Sequence, residues 1–367
     1  MKRVVLMGAG HAHALVLQAI RHTPLRNAEI LVISPQPRAP YSGMIPGWLA
    51  GRYTLDEICI DFEQLCKAAG ARWRRGELYA LDPDNKRLQL TDGVSIDYDV
   101  LSLNVGSTLY PPNPAMVAMR PLQNLIERYQ HLLTTWQSSA KNMPNRLTVV
   151  GGGPAGFETL LAVRSRLLSL APSLSLETTL VTQSRKVLPS CAPIARWLAQ
   201  KALKNATVKV QCATRWADTA PISDDELVLW AAGAQAHTWQ RDQNRRGSLD
   251  VNEQGFVHVN AQLRSTSHPA IFAAGDCAAL THAVPKAGVY AVRMGAVLAH
   301  NLAAECSGKH PTTYSPQENH LTLLNTSNGS TIASRGLLAA SGPWAMSWKD
   351  RIDREFIRQF EPDLTRT

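Results

Sequence analysis

"RLTVVGGGPAGFETLLAVRSRLL", residues 146–168, is the stretch that decides the fold of this chain. A short apolar run leads into Gly151, Gly153 and Gly156 at G-x-G-x-x-G spacing, and an apolar helical pattern follows. In a dinucleotide-binding turn the first glycine permits the tight turn and the second lets the backbone approach a pyrophosphate. The third lets the helix pack against the strand. The stretch therefore predicts a Rossmann-like unit; a glycine-rich loop of another α/β fold is the less favoured alternative.

A similar stretch lies near the start of the chain, "VVLMGAGHAHALVL" at residues 4–17. Gly8 and Gly10 occupy the first two glycine positions, but His13 replaces the third. The next apolar strand ends at Ser34, where such folds usually carry an acidic residue for the ribose hydroxyls. The pattern predicts a second dinucleotide-binding turn with a variant third position, and it places Ser34 at the ribose.

Two histidines stand in this first turn. His11 and His13 are two residues apart, so on a helix they point to nearly opposite sides and cannot chelate one metal ion. Each could donate a hydrogen bond to a phosphate, although a packed or solvent-facing imidazole is the favoured interpretation. No metal site is predicted.

Composition limits the class of protein. The 367 residues suffice for two or three domains, and 45% hydrophobic with 18% charged residues is typical of a folded protein. The net charge of +9 favours an acidic partner such as nucleotide phosphates or an anionic membrane surface. Because the basic residues are spread along the chain, no nucleic-acid partner is expected. Six cysteines without a C-x-x-C spacing favour a reducing, cytoplasmic location, with peripheral attachment to the inner face of a membrane as an alternative.

A third element is "STSHPAIFAAGDCAAL", residues 265–280. An apolar strand ends at Gly275 and Asp276 before a short helical pattern. A carboxylate in this position suits a sugar hydroxyl close to a phosphate-binding turn.

Together with "YDVLSLNVGSTLY" (98–110), "LVLWAAGAQAH" (227–237) and "EQGFVHVNAQLRS" (253–265), these motifs resemble the pyridine nucleotide–disulfide oxidoreductase superfamily over residues 1 to about 316. The resemblance implies an α/β fold with two Rossmann-like domains, one for FAD and one for NAD(P), and a small α+β C-terminal region. The implied FAD domain comprises residues 1–112 and 246–316, the NAD(P) domain 113–245 and the C-terminal region 317–367.

The resemblance also implies the cofactor contacts. FAD would meet Gly8, Gly10, His11, His13, Ser34, Gly106, Gly275, Asp276 and Lys286, and NADH or NADPH would meet Gly151, Gly153, Gly156, Arg185 and Gly233. Asp276 would bind the ribityl chain. Arg185 could meet a 2′-phosphate, which slightly favours NADPH, and both nucleotides stay open.

The region after the first turn separates branches of the superfamily. Residues 37–57 lack the C-x4-C pair of the disulfide-reducing branch. They resemble type II NADH dehydrogenases and sulfide:quinone oxidoreductases, in which a proline-containing loop, here Tyr41 and Pro46, approaches the isoalloxazine. "GAGHAHALVL", "PYSGMIPG", "PKAGVYAVRMG" and "WKDRIDREF" most closely resemble the flavoprotein module fused to selenide, water dikinase.

The implied activity is hydride transfer from a nicotinamide to the flavin and then to a quinone-like or small acceptor. Glu158 would lie near the nicotinamide, or simply cap its helix. A helix beginning at about Lys286 would point its N-terminus at the flavin pyrimidine edge, with Lys286 adding positive charge. Gly288 and Val292 stand where type II dehydrogenases have two quinone-site glutamines, which puts the quinone in question. The alternatives are a sulfur or selenium species, for which Cys191 is the candidate cysteine, and a redox-sensing flavoprotein with slow turnover.

The last 50 residues leave the Rossmann pattern. Two strands are predicted around Asn328 and Gly329, followed by a helix over 343–360. That helix has an apolar stripe at four-residue steps, Trp344, Trp348, Ile352, Phe356 and Phe360, with Lys349 and three arginines over much of the rest. The stripe suits a core-covering helix best; contact with a membrane surface and a homodimer contact are the alternatives.

Overall fold

The computed structural model describes residues 1–217, 221–282, 284–317 and 319–361. Its strands are, in chain order, β1 (Lys2–Met7), β2 (Ala28–Ser34), β3 (Arg38–Pro40), β4 (Cys59–Asp61), β5 (Arg72–Arg75), β6 (Leu78–Asp82), β7 (Arg87–Leu90), β8 (Ser95–Asp97), β9 (Val100–Leu103), β10 (Val117–Ala118), β11 (Arg146–Val150), β12 (Glu177–Val181), β13 (Lys209–Gln211), β14 (Glu226–Trp230), β15 (Val257–Val259), β16 (Ile271–Ala273), β17 (Ala278–Leu280), β18 (Thr322–Asn325), β19 (Thr331–Arg335) and β20 (Leu338–Gly342). Its α-helices are α1 (His11–His22), α2 (Ile45–Leu49), α3 (Leu55–Ile58), α4 (Phe62–Ala68), α5 (Leu122–Ser138), α6 (Pro154–Leu170), α7 (Pro193–Asn205), α8 (Thr238–Arg241), α9 (Gln243–Arg246), α10 (Gly288–Ser307) and α11 (Pro343–Arg358).

Two parallel five-stranded sheets organise the chain. Their strand orders are β16-β9-β1-β2-β5 and β10-β14-β11-β12-β13. In both sheets the strand that precedes a glycine turn, β1 or β11, is central. Parallel sheets are covered on both faces, which explains why β9 is buried at every position and β1 at its last four. The prediction of two Rossmann-like domains is confirmed.

We call the β1 sheet with its helices the first unit and the β11 sheet with its helices the second unit; one close helix contact lies within the first unit, and one hydrogen bond joins the two. Gly295 on α10 lets α1 approach closely, since a Cβ there would lie 2.6 Å from the side chain of Leu15. Tyr129 on α5 is fully buried, and its hydroxyl donates a hydrogen bond of 2.7 Å to the carbonyl of Leu49 at the end of α2. This bond joins the first helix of the second unit to the loop region of the first.

The C-terminal segment has three antiparallel strands, β18-β19-β20, where the sequence predicted two. The predicted turn at Asn328 and Gly329 separates the first pair, and β20 extends the sheet before α11 begins. The segment reaches both units: the amide of Asn325 contacts α6, and Lys349 contacts the carbonyl of Gly43. It therefore closes one side of the space between the two sheets.

The apolar stripe of α11 does not lie on one face. Four residues advance an α-helix by about 40° beyond a full turn, so the four positions within α11 rotate by about 120°. Phe360 lies two residues beyond the end of the helix. Trp344 and Trp348 are 53% and 42% exposed, whereas Phe360 is 6% exposed. The expected cationic covering was wrong at Lys349, which is 8% exposed and turned inward. Among the described residues, no helix has the length and apolar character to span a bilayer.

Candidate functional site

The first glycine turn is built around a residue that sequence reasoning missed, Asn104. Gly8 has a φ of +102°, and a Cβ on Gly8 or Gly10 would collide with Asn104. The carboxamide oxygen of Asn104 accepts from two amides in the first turn of α1, at 3.1 and 3.2 Å, and its Nδ2 donates to the carbonyl of Ala274 at 2.7 Å. Asn104 thus ties the turn to the segment that carries Asp276. The sequence indicates this residue only by an asparagine side chain directly after an apolar strand.

His13 fills the position of the missing glycine. Its Nδ1 lies 2.7 Å from the carbonyl oxygen of Gly8, and its Nε2 lies 2.8 Å from the hydroxyl of Ser102. A carbonyl only accepts, so Nδ1 carries the proton and Nε2 accepts from Ser102. Burial lowers the pKa of His13 to about 4, which keeps the ring neutral. Because both nitrogens are engaged, His13 is a packed imidazole and not a phosphate donor.

Ser34 also departs from its expected role. It is 1% exposed, its hydroxyl donates to the carbonyl of Gln36 at 2.7 Å, and it accepts from the Trp73 indole at 2.9 Å. A hydroxyl committed in this way does not reach a ribose. The predicted ribose contact of Ser34 is therefore corrected to a strand-end anchor.

His11 lies in an aromatic cluster beside the 40–43 loop. Its ring centroid is 5.2 Å from that of Tyr41, and Tyr41 lies 4.4 Å from Phe356 of α11. The amide of Ser42 donates to His11 Nε2 at 3.3 Å, and the backbone of Pro40 also lies beside the ring. Burial lowers the pKa of His11 to about 4 despite the nearby carboxylate of Asp276. His11 is thus a neutral, packed imidazole that positions the loop.

Asp276 carries a half-buried ion pair. Arg120, also missed from the sequence, donates to its carboxylate, and the hydroxyl of Ser107 donates to the same oxygen at 3.2 Å. The second terminal nitrogen of Arg120 donates to the carbonyl of Lys286 at 3.1 Å. The left-handed φ of +72° at Gly275 sets the carboxylate against this cluster.

The side chain of Lys286 does not lie free, as the prediction of a charge at the flavin edge required. Its ammonium donates to the carbonyl of Ala278 at 2.6 Å and lies 3.9 Å from the ring centroid of Phe256. Burial lowers the pKa of Lys286. The following helix begins at Gly288, two residues later than expected. The ammonium is thus held by the protein instead of being free for a flavin edge.

The second glycine turn has the geometry that its motif requires. Gly151 has a φ of +132°, and a Cβ on Gly156 would collide with the carbonyl of Gly151. Gly153 is the N-cap of α6 without a side-chain cap, and a Cβ there would meet no described atom within 4 Å. Gly233, in the loop after β14, has a φ of +74°, and Arg185 is exposed just beyond β12. The N-terminus of α6 therefore faces open space.

One cavity of about 950 Å³ reaches Arg120, Gly153, Glu158 and Lys286. Its walls come from the first unit, the second unit and the C-terminal segment, and include Tyr41, Pro46, Arg120, Gly153, Glu158, Cys191, Lys286, Gly288, Val292, Leu323, Lys349 and Phe356. The structure thus brings together the predicted Tyr41, Pro46, Glu158 and Lys286.

Glu158 is the titratable group that stands out in the cavity wall. Burial raises the pKa of Glu158 to about 7, although the charge of Lys349 and a 2.7 Å hydrogen bond from the amide of Asn325 favour the ionised form. Lys349 is ion-paired at 2.7 Å with Asp353, whose pKa is also raised by burial. Glu158 is therefore poised to hold or release a proton near neutral pH, and its carboxylate accepts from the amide of Asn325 on β18.

Comparisons with known proteins agree with this geometry. Residues 2–295 match the pyridine nucleotide-disulphide oxidoreductase family. The chain is 24% identical over 356 residues to demethylphylloquinone reductase NdbB of Synechocystis, covering 89% of this chain and 83% of that protein. It is 27% identical over 212 residues to the type II NADH:quinone oxidoreductase of Haemophilus influenzae, covering 51% and 46%.

Solved structures share the fold. The sulfide:quinone oxidoreductase of Aquifex aeolicus superimposes with a TM-score of 0.79 at 15% identity, over 98% of this chain and 91% of that one. NDH2 of Plasmodium falciparum in complex with NADH gives 0.78 at 12% identity, over 98% and 97%. The chain belongs to the pyridine nucleotide-disulphide oxidoreductase family and is an FAD-dependent oxidoreductase that uses NADH or NADPH.

Proposed function

We propose that this protein passes electrons from NADH or NADPH, through FAD, to a quinone. The observation that carries the proposal is the cavity of about 950 Å³, which is bordered by both glycine-turn units and by the C-terminal segment. A cavity of this size accommodates a small organic ligand together with part of a cofactor. Two relatives, from Synechocystis and Haemophilus influenzae, carry names that specify quinones.

The residues of the first unit fit FAD. Gly8 and Gly10 leave the turn free of side chains, and a Cβ on Gly106 would meet no described atom within 4 Å, so a ligand can approach the backbone closely. Asp276 supplies a carboxylate for ribityl hydroxyls, next to Gly275. When bound, FAD supplies two-electron redox chemistry between the nicotinamide and the acceptor.

The second unit would hold the nicotinamide dinucleotide. Gly151, Gly153 and Gly156 present the N-terminus of α6 to a pyrophosphate, where backbone amides and the helix dipole favour negative charge. Gly233 closes the turn on the neighbouring strand. Arg185 lies beyond β12, where it could pair with a 2′-phosphate, so NADPH and NADH both remain substrates to test.

The acceptor would lie against the C-terminal wall of the cavity. Leu323, Ile352 and Phe356 give this wall apolar surface for a quinone ring, beside the polar Lys349 and Asp353. Reduction of a quinone takes two electrons and two protons. Glu158, with its pKa near 7, is the carboxyl that can deliver one of the two protons. Tyr41 and Pro46 would hold the acceptor or nicotinamide against the flavin.

Exposed apolar side chains would bring the acceptor site to a membrane surface. Leu337, Leu338, Trp344 and Trp348 are 78%, 77%, 53% and 42% exposed and belong to the same C-terminal segment that walls the cavity. Helix α7 packs against β20, and its Trp197 is 59% exposed. Tryptophan and leucine in this arrangement suit the interface of a bilayer, where quinones dissolve.

An anaerobic two-step titration with a blocked variant tests the proposal. NADH or NADPH should bleach the flavin of the wild-type protein within seconds, and a water-soluble quinone should restore its absorbance. The φ of −79° at Gly153 admits a side chain, and no described atom lies near the position of its Cβ. The Gly153→Val variant should therefore fold and keep FAD, but its side chain should exclude the nicotinamide nucleotide. Dithionite-reduced Gly153→Val should still be reoxidised by the quinone.

Two other outcomes of the titration would contradict the proposal of a quinone acceptor. If nicotinamides bleach the flavin but quinones do not restore it, the acceptor proposal fails. If sulfide alone bleaches the flavin and Cys191→Ser abolishes this, the sulfur alternative replaces it. Cys191 is the one cysteine among the described cavity-wall residues, and burial raises its pKa, so its thiol is largely protonated at neutral pH. The sulfur alternative is therefore the less favoured.

A further inference from the structure

Arg120 connects the two nucleotide-binding units at the flavin site. It follows β10, a strand of the second sheet, yet its guanidinium contacts Ser107, Asp276 and the carbonyl of Lys286, all outside that sheet. Its side chain is 27% exposed and that of Asp276 is 16% exposed, so the pair is shielded, and Arg120 lines the cavity. A guanidinium carries a positive charge in proteins.

The neighbouring cation is committed elsewhere. The ammonium of Lys286 donates to the carbonyl of Ala278 at 2.6 Å and lies over the Phe256 ring. Arg120 instead bonds the backbone of Lys286 itself, two residues before α10 begins at Gly288. The N-cap of α10, Ala287, makes no side-chain cap, so the helix N-terminus adds partial positive charge beside Arg120.

We propose that Arg120, and not Lys286, is the cation that balances the negative charge FAD acquires on reduction. The inference rests on the proposed placement of FAD along Gly8, Gly10 and Asp276. A hydride carries two electrons and one proton, so its transfer oxidises the nicotinamide and adds one negative charge to the flavin. A fixed guanidinium beside the flavin stabilises that charge, with Asp276 offsetting part of the effect.

Reductive titration against a reference dye, with neither nicotinamide nor quinone present, tests this independently of the acceptor. Arg120→Gln removes the charge while retaining donors for Asp276, and Arg120→Lys retains the charge. At a fixed dye potential, Arg120→Gln should lower the ratio of reduced to oxidised flavin at least about tenfold, which is about 30 mV for a two-electron couple. Arg120→Lys and the matched control Lys286→Gln should stay close to the wild-type ratio.

An opposite shift is expected from the partner residue. Asp276→Asn removes the anion that offsets Arg120, so the ratio of reduced to oxidised flavin should rise. This measurement still tests the proposal if Arg120→Gln loses FAD. The proposal is overturned if Lys286→Gln alone lowers the ratio, if Arg120→Gln leaves it unchanged, or if Asp276→Asn lowers it. None of these results depends on whether quinones are the acceptor.

Discussion

Glu158→Gln should change how the stability of the protein depends on pH. Burial raises the pKa of Glu158 from 4.5 to about 7, so between these values the folded state holds a proton that the unfolded state has released. A group of this kind stabilises the fold fully below pH 4.5, and its contribution is lost as the pH rises through 7. The glutamine variant lacks this proton and this dependence.

The size of the effect follows from the same change. A pKa that moves from 4.5 to about 7 corresponds to about 3 kcal/mol between the two ends of the window. Glu158 borders a cavity that water can enter, which screens its charge, and we expect about 2 kcal/mol. Lys349 remains paired with Asp353 in the variant, so its charge is not left alone.

Urea unfolding followed by tryptophan fluorescence, with FAD in excess, measures this at pH 5, 6, 7 and 8. The free energy of unfolding of Glu158→Gln minus that of the wild type should grow by about 2 kcal/mol from pH 5 to pH 8. The difference cancels other groups, including His11 and His13, whose lowered pKa values remove stability as the pH falls from 6.5 towards 4. Glu355→Gln, which removes an exposed carboxylate on α11, is the matched control. Parallel profiles for Glu158→Gln and the wild type would refute the assigned pKa.

Three further changes probe other parts of the structure. His13→Ala leaves the buried carbonyl of Gly8 and the hydroxyl of Ser102 without their partner, so urea unfolding should show a loss of about 1–3 kcal/mol, whereas Ser102→Ala should cost less. Replacing Trp344 and Trp348 together with serine should reduce flotation with vesicles of anionic lipid without changing reduction of the flavin by nicotinamide; unchanged flotation would exclude this face as the contact. Arg185→Ala should raise KM for NADPH about tenfold and that for NADH less, and equal changes would remove Arg185 from the 2′-phosphate site.

The backbone of both nucleotide turns could be predicted because glycine spacing expresses a local requirement. Gly151 and Gly8 adopt positive φ values where the motif demands them, and Gly156 leaves no room for a Cβ. These constraints act within one strand, turn and helix, which the sequence displays contiguously. The same holds for the apolar runs that became central strands.

Side-chain partners over long sequence separations could not be predicted in the same way. Arg120 and Asp276 are 156 residues apart, and nothing near either residue announces the other. Ser34 was predicted to contact the ribose because the residue at this position does so in other nucleotide-binding folds. Its hydroxyl instead accepts a hydrogen bond from the indole of Trp73 on an adjacent strand. The stripe of α11 misled because a four-residue repeat rotates around the helix, carrying Phe356 into the cavity while Trp344 stays outside.

The third position of the first turn shows that one structural requirement can be met in two ways. In the second turn, Gly156 has no side chain, so the backbone of α6 lies against the carbonyl of Gly151. In the first turn, the imidazole of His13 donates to the equivalent carbonyl of Gly8 and continues to Ser102 on β9. Because burial keeps this ring neutral above about pH 4, the turn gains a hydrogen bond without placing a charge behind the proposed FAD site. A histidine at this position therefore preserves the turn, and its replacement by glycine should remove the link to β9 while leaving the nucleotide-facing backbone free of side chains.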